Sequence, residues 1–144
     1  MHMHQSAPPC FCTTVRKTAR RLARTYDAAL SGSGMNVTQL AVVRAVERHE
    51  GKPLSRIADD LAMDRTSLYR SLGLLRKRKW IVLHAGQDSR SSSAALSAAG
   101  RKALEAAAPA WNSQQAALLD RFGRQEWNFL ASELRRLAEC ASHD

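Results

Sequence analysis

What this chain has little of sets the first limits. Acidic residues are scarce, 13 Asp and Glu against 22 Lys and Arg, which leaves a formal net charge of +9 and a pI of about 10.3. So basic a chain points to a polyanionic partner. No apolar run approaches the ~20 residues that cross a bilayer. Met1 to Pro9 contains no apolar core of the secretory kind, so a cytoplasmic protein with no membrane partner is expected. There is no glycine-rich phosphate loop, no nucleophile elbow and no His/carboxylate cluster at matching helical spacing. Asp59 and Asp60 form the only adjacent acidic pair in the first hundred residues, and orienting a basic neighbour is their simpler role. Neither an enzyme nor a bound cofactor is expected. Disorder is also excluded, because 44% of the 144 residues are hydrophobic, enough for one compact domain with a real core.

The stretch from Leu54 to Leu96 carries most of the information. Leu54, Ile57, Ala58 and Leu61 recur at helical spacing, and Ser55 is placed to cap a short helix running roughly from Ser55 to Ala62. Asp64 then precedes a second periodic run of Leu68, Leu72 and Leu75, which predicts a helix from about Arg65 to Arg78 with a carboxylate at its start. With the leucines turned inward, Arg65, Thr66, Ser67, Tyr69 and Arg70 crowd the outer face of the first turns. Those positions meet base edges in the major groove when a helix-turn-helix docks on DNA. Arg76, Lys77, Arg78 and Lys79 follow, either as phosphate contacts, with Arg76, Lys77 and Arg78 the candidates, or as cations complementing the helix dipole. Trp80 to Ala85 and Ser91 to Leu96 then read as two extended runs around a Gly86 to Arg90 turn. Arg90 near the hairpin tip suits an adjacent minor groove, with Asp88 orienting it or merely ordering the turn. Between Arg65 and Arg90 seven cations face one acid, so +6 of the net charge lies in this segment. Cations divided between helix and hairpin do not describe a membrane-surface helix. The segment also lacks the aromatic strand platform used to stack single-stranded RNA bases. Double-stranded DNA is the expected partner.

Taken together, Leu54-Ser55-x-x-x-Asp59-x-Leu61, Asp64 to Arg70, Leu75 to Ile81, Asp88-x-Arg90 and Leu96-Ser97-x-x-Gly100 resemble the MarR family of bacterial transcription regulators. The Asp-x-Arg wing followed by Leu-Ser-x-x-Gly is the most specific part. Two positions depart from the family pattern: Lys79 replaces a frequent glycine and Arg76 a frequent glutamate. A positive φ at residue 79 would cost lysine more than glycine. The resemblance implies a mainly α (α+β) fold, a winged helix-turn-helix with long N- and C-terminal dimerisation helices. It also implies a homodimer, a palindromic operator with half-sites about one helical turn apart, and repression.

The remaining chain fits one domain, 1–144, with a DNA-binding lobe at 36–97 and dimerisation helices at 10–34 and 98–144. From Phe11 to Leu30 an amphipathic helix places Val15, Thr18, Ala19, Leu22, Ala23, Tyr26 and Leu30 on one stripe, with Arg16, Lys17, Arg20, Arg21 and Arg24 largely off it. Asn36 and Gln39 have capping-box spacing ahead of a helix that stops before Gly51. Ser97 caps another helix, marked by Leu104, Trp111 and Leu118, in which Pro109 is an obstacle expected to kink it. A last helix, about Gln125 to Ala141, presents Trp127, Leu130, Leu134 and Leu137. Such long apolar stripes on so small a lobe predict burial against a second copy, the alternative being a monomer whose terminal helices pack on each other.

Three signals are compatible with the residues. Cys10 and Cys12 stand at a helix start near Arg16 and Lys17, where a thiol pKa falls, so one of them is a candidate oxidant sensor; the resemblance adds that some relatives sense peroxide through a cysteine early in this helix. The alternative is that both are small apolar fillers, which is what a free cysteine most often is. A Cys-x-Cys with Cys140 could hold zinc, with His143 the only fourth ligand at hand, and His2 and His4 form a separate His-x-His pair; no metal site is expected from either. The resemblance also allows a small aromatic effector near Tyr26, Trp111 and Arg24. A DNA-binding architectural protein that senses nothing is the alternative to a regulator.

Overall fold

In the computed structural model, which describes residues 6–88 and 90–142, six helices and a two-stranded antiparallel sheet follow in the order α1 (Phe11–Leu30), α2 (Val37–Arg48), α3 (Leu54–Leu61), α4 (Arg65–Lys77), β1 (Ile81–His84), β2 (Ser93–Leu96), α5 (Ala98–Phe122) and α6 (Arg124–Ala141). The histidines at 2, 4 and 143 weighed as metal ligands lie outside the described residues.

Local chemistry explains most of the boundaries. Asn36 and Gln39 form the capping box that opens α2: the Gln39 N–H donates to the Asn36 side chain at 2.8 Å, and the Asn36 N–H donates back to Gln39 Oε1 at 3.0 Å. Ser97 caps α5 by accepting from Gly100 N–H at 3.0 Å. Ser55 does not cap α3. That helix begins one residue earlier with Pro53 at its N-cap and no side-chain cap, because a fixed proline φ already suits a helix start. The helix ends at Leu61, where Ala62 turns left-handed with φ +50°. Each strand is four residues long, and Trp80 lies outside β1. Pro109 does not end α5, which runs through it from Ala98 to Phe122. The proline is exposed, so water can hydrate the carbonyl its missing N–H leaves free.

The core sits in the lobe. Leu40, Val43 and Val46 of α2, Ile57 of α3, and Leu68, Leu72 and Leu75 of α4 are almost fully buried together, and Ile81 and Leu96 close the cluster from the paired ends of the strands. Leu30 at the end of α1 and Ala107 of α5 join it from outside. The opposite end is different: α6 has no buried residue, and Phe11, Phe122 and Phe129 remain 71%, 55% and 70% exposed. No helix among the described residues is long and apolar enough to cross a membrane.

A backbone junction ties the base of β1 to the start of α5. The Trp80 carbonyl accepts from Ser97 N–H at 3.0 Å, the Ser97 hydroxyl donates to Lys79 O at 2.6 Å, and Gly100 lies so close to the Trp80 carbonyl that a Cβ would overlap it. Lys79 sits at φ +63°, the region where glycine is at ease and lysine is strained. Opposite effects are therefore expected here. Lys79→Gly should raise stability by about 1 kcal/mol by relieving the strain, whereas Gly100→Ala should lower it by about 1–3 kcal/mol through overpacking. Thermal melting of both variants checks the pair.

Candidate nucleic-acid interface

α3 and α4 meet through a tight turn in which Met63 N–H donates to Ala58 O at 2.9 Å. Asp64 then opens α4: its Oδ1 accepts from Ser67 N–H at 2.7 Å and its Oδ2 from the Ser67 hydroxyl at 3.0 Å. The Ser67 backbone bond, followed by the hydroxyl bond, holds the Asp64 carboxyl below its ordinary value. The Ser67 hydroxyl proton is committed to the Asp64 cap, which leaves its lone pairs for any further partner. Arg65, Thr66, Tyr69 and Arg70 are exposed, Thr66 and Arg70 on the face opposite Leu68, Leu72 and Leu75 and Arg65 and Tyr69 on the flank beside Leu68.

The wing converges on this face. Arg90, with Arg65 and Tyr69, lines a crevice of about 150 Å³ floored by Leu54, Ala58 and Leu68. Asp88 orders the hairpin through the backbone: its Oδ1 accepts from Arg90 N–H at 2.9 Å and Ser91 N–H at 3.0 Å, leaving the Arg90 guanidinium unengaged by this carboxylate. Arg76 and Lys77 are exposed at the end of α4. Arg78 is placed differently from its neighbours, its guanidinium stacked 4.1 Å above the Trp80 ring. Among the described residues, Arg65, Arg70, Arg76, Lys77 and Arg90 enter no ion pair. The scaffold behind them is tied instead: Asp60 of α3 accepts from His49 Nε2 and Arg48 Nη2, both at 2.9 Å, and these partners hold its carboxyl below the ordinary range.

The candidate sensing residues lie elsewhere. Cys10 is the exposed N-cap of α1, without a side-chain cap bond, and the nearby Thr13 backbone N–H, then its side chain, favour the thiolate and lower the thiol pKa. Cys12 and Cys140 are exposed. No three His, Cys, Asp or Glu side chains among the described residues are grouped to hold a metal. Tyr26 and Trp111 do come together: their rings stack with centroids 6.2 Å apart, and the Tyr26 hydroxyl donates to Gln115 Oε1. They wall an apolar cavity of about 400 Å³ with Leu22, Leu118 and Trp127. Arg24 does not join them; it lies on the outer face of α1 with Lys17, Arg20 and Arg21. The cation beside the cavity is Arg44 of α2, 4.1 Å over the Trp111 ring, a contact created by the approach of α2 to α5 that no short-range spacing announces.

A buried leucine face, an outward basic face and a hairpin arginine beside it define a winged helix-turn-helix protein. No family model and no curated protein sequence matches the chain, whereas solved structures do. The M. tuberculosis transcriptional regulator MosR, solved in complex with DNA, is 32% identical over 92% of this chain and 96% of that one, with a TM-score of 0.83. A probable transcriptional regulator from Pseudomonas aeruginosa is 27% identical over 88% and 96%, with a TM-score of 0.76. The transcriptional repressor CouR, bound to a 23-mer DNA duplex, shares the fold at 21% identity, 90% and 92% coverage and a TM-score of 0.78. The chain belongs to the MarR family of transcriptional regulators.

The Asp64 cap gives a direct test of how the reading face is held. Asp64→Ala should lower the melting temperature by a few degrees, while Asp64→Asn, an equally good cap, should restore it at neutral pH. A carboxyl depressed by folding stabilises above its unfolded value and loses that contribution as pH falls through the folded one. The wild type should therefore lose stability below about pH 4 more steeply than the Asn variant. Acid titration of the melting temperature checks both statements.

Proposed function

We propose that this protein is a sequence-specific regulator of double-stranded DNA, acting in the cytoplasm as a homodimeric repressor on a palindromic operator. The observation that carries the reading is the meeting of Arg65, Tyr69 and Arg90 at one crevice, two from the recognition helix and one from the wing, with no carboxylate partner among the described residues. In this reading Arg65, Thr66, Tyr69 and Arg70 address base edges and Ser67 offers its lone pairs. Arg90 enters the neighbouring minor groove. Arg76 and Lys77 anchor phosphates, while Arg78 acts through its stack on Trp80. The exposed apolar surface of α5 and α6 supports pairing of two copies, and two-fold symmetry then sets half-sites about one helical turn apart.

Two signals have an observation behind each. Cys10, exposed at a helix start with a lowered pKa, supports oxidation: its thiolate attacks the O–O bond of a peroxide, forming sulfenic acid and releasing hydroxide. The cavity walled by Tyr26 and Trp111 supports a small aromatic ligand. Either signal regulates only by favouring one spacing of the two recognition helices over another.

A binding titration on a duplex selected from a random pool tests the reading. Arg70→Ala should cost about 1–3 kcal/mol and relax preference at one base pair per half-site. Lys77→Ala should weaken all sequences alike and reduce the salt slope by about one unit. Affinity that falls equally on every sequence as salt rises, with no preferred duplex, would instead describe an architectural protein. Mild peroxide should release wild-type protein and Cys12→Ser but not Cys10→Ser; release of all three would count against the Cys10 thiolate, and release of none would leave the aromatic cavity as the sensor.

A further inference from the structure

The outer edge of β2 is paired although no third strand runs beside it. Leu54 N–H donates to Ser92 O at 3.0 Å, Gly51 N–H donates to Ala94 O at 3.4 Å, and Pro53 bridges to Ser93, so the connector between α2 and α3 lies along the strand. Alternate residues of a strand point their backbone groups to the same edge, so residue 96 is the next to need a partner. There a side chain replaces the backbone: Leu96 N–H donates to Glu50 Oε1 at 3.0 Å. The same oxygen accepts from Arg101 Nη2 at 2.8 Å, and Glu47 Oε2 stands 4.0 Å from Arg101 Nη1. Arg101 belongs to the first turns of α5, the helix that also carries Trp111 of the apolar cavity and the exposed Phe122.

We propose that Glu50 and Arg101 are positioning residues for DNA binding: one carboxylate oxygen holds the last residue of the wing and the start of α5 together, so the direction of the wing is locked to α5. The inference rests on the DNA-reading function proposed above. Both side chains are partly exposed, at 31% and 49%, so the pair adds little to global stability. Its effect is on orientation. The hairpin is otherwise tied to α5 through the Trp80, Ser97 and Gly100 junction at the base of β1, which leaves Glu50 as the tie on the other edge of the sheet.

The two bonds of Glu50 can be separated chemically. Leu96 N–H needs only an acceptor, which glutamine supplies, whereas the hold on Arg101 depends on charge. Full-length wild type, Glu50→Gln, Arg101→Met and Arg101→Lys are compared on a selected duplex by affinity, by hydroxyl-radical protection of the minor groove, by methylation protection of the major groove and by melting temperature. Glu50→Gln and Arg101→Met should each lower affinity roughly two- to fivefold. Both should lose minor-groove protection at the wing while keeping major-groove protection and melting temperature, and Arg101→Lys should recover part of the loss. Unchanged minor-groove protection would overturn the proposal. So would loss in both grooves together with a lower melting temperature, which describes an ordinary stabilising contact. Absence of protection by the wild type on any duplex would overturn the DNA-reading function itself, whereas protected wild type with indifferent variants defeats the positioning role alone.

Discussion

Everything at the interface depends on one constraint, the burial of Leu68, Leu72 and Leu75 in the lobe core. A helix at 3.6 residues per turn cannot bury those three without turning Thr66 and Arg70 to the opposite side and leaving Arg65 and Tyr69 on the flank beside Leu68, where they line the crevice with Arg90. The core therefore fixes which residues face outward before any partner is present. Asp64 sets where that face begins, because its carboxylate caps the helix through the Ser67 N–H and hydroxyl. Asp60, held by Arg48 and His49, ties the preceding helix to the end of α2. The outward arginines are thus carried on an element restrained from beneath and from its N-terminal side.

The wing is restrained in another way. Its strands are only four residues long, too few for a two-stranded hairpin to be stable alone. It borrows order from its neighbours: Ile81 and Leu96 enter the core, the α2–α3 connector covers the outer edge of β2, and Ser97 and Gly100 close on the backbone of Lys79 and Trp80. Closure at that junction requires the chain to leave α4 through a left-handed residue. Lysine occupies that position at an energetic cost that glycine would avoid, so local strain is tolerated where tight approach of α5 to the sheet is gained.

Features set by local periodicity and capping were legible in the sequence, and those set by the crossing of elements were not. The leucine periods, the Asn36 and Gln39 capping box and the Asp64 cap follow from chemistry within a few residues, whereas the positive φ at residue 79 was indicated only by the family resemblance, in which glycine is frequent there. Ser55 misled because a cap-forming residue is common at helix starts, yet Pro53 needs no side-chain cap to begin α3. Pro109 stands inside α5 at an exposed position, where losing one backbone donor does not end the helix. Arg24 enters beside Tyr26 only with the aromatic effector that the family resemblance allows, and two residues along a helix is a rotation of about 200°, which carries it to the far side of α1 with Lys17, Arg20 and Arg21. Arg44 above Trp111, Arg78 above Trp80 and Glu50 beneath Leu96 are meetings of separate elements, invisible until the elements are assembled.

The bare α6 has a consequence for how such a protein behaves at different abundances. A helix with no fully buried residue, resting on α5 through half-buried side chains such as Trp127, gains little from the fold of a lone chain, and the aromatic side chains it and α5 present to water are a standing cost. If that cost is removed by a second copy, order at this end of the molecule becomes a function of concentration. DNA occupancy would then rise more steeply than in proportion to the amount of chain present. A regulator built this way has a threshold before it has any signal, set by the apolar surface it leaves uncovered.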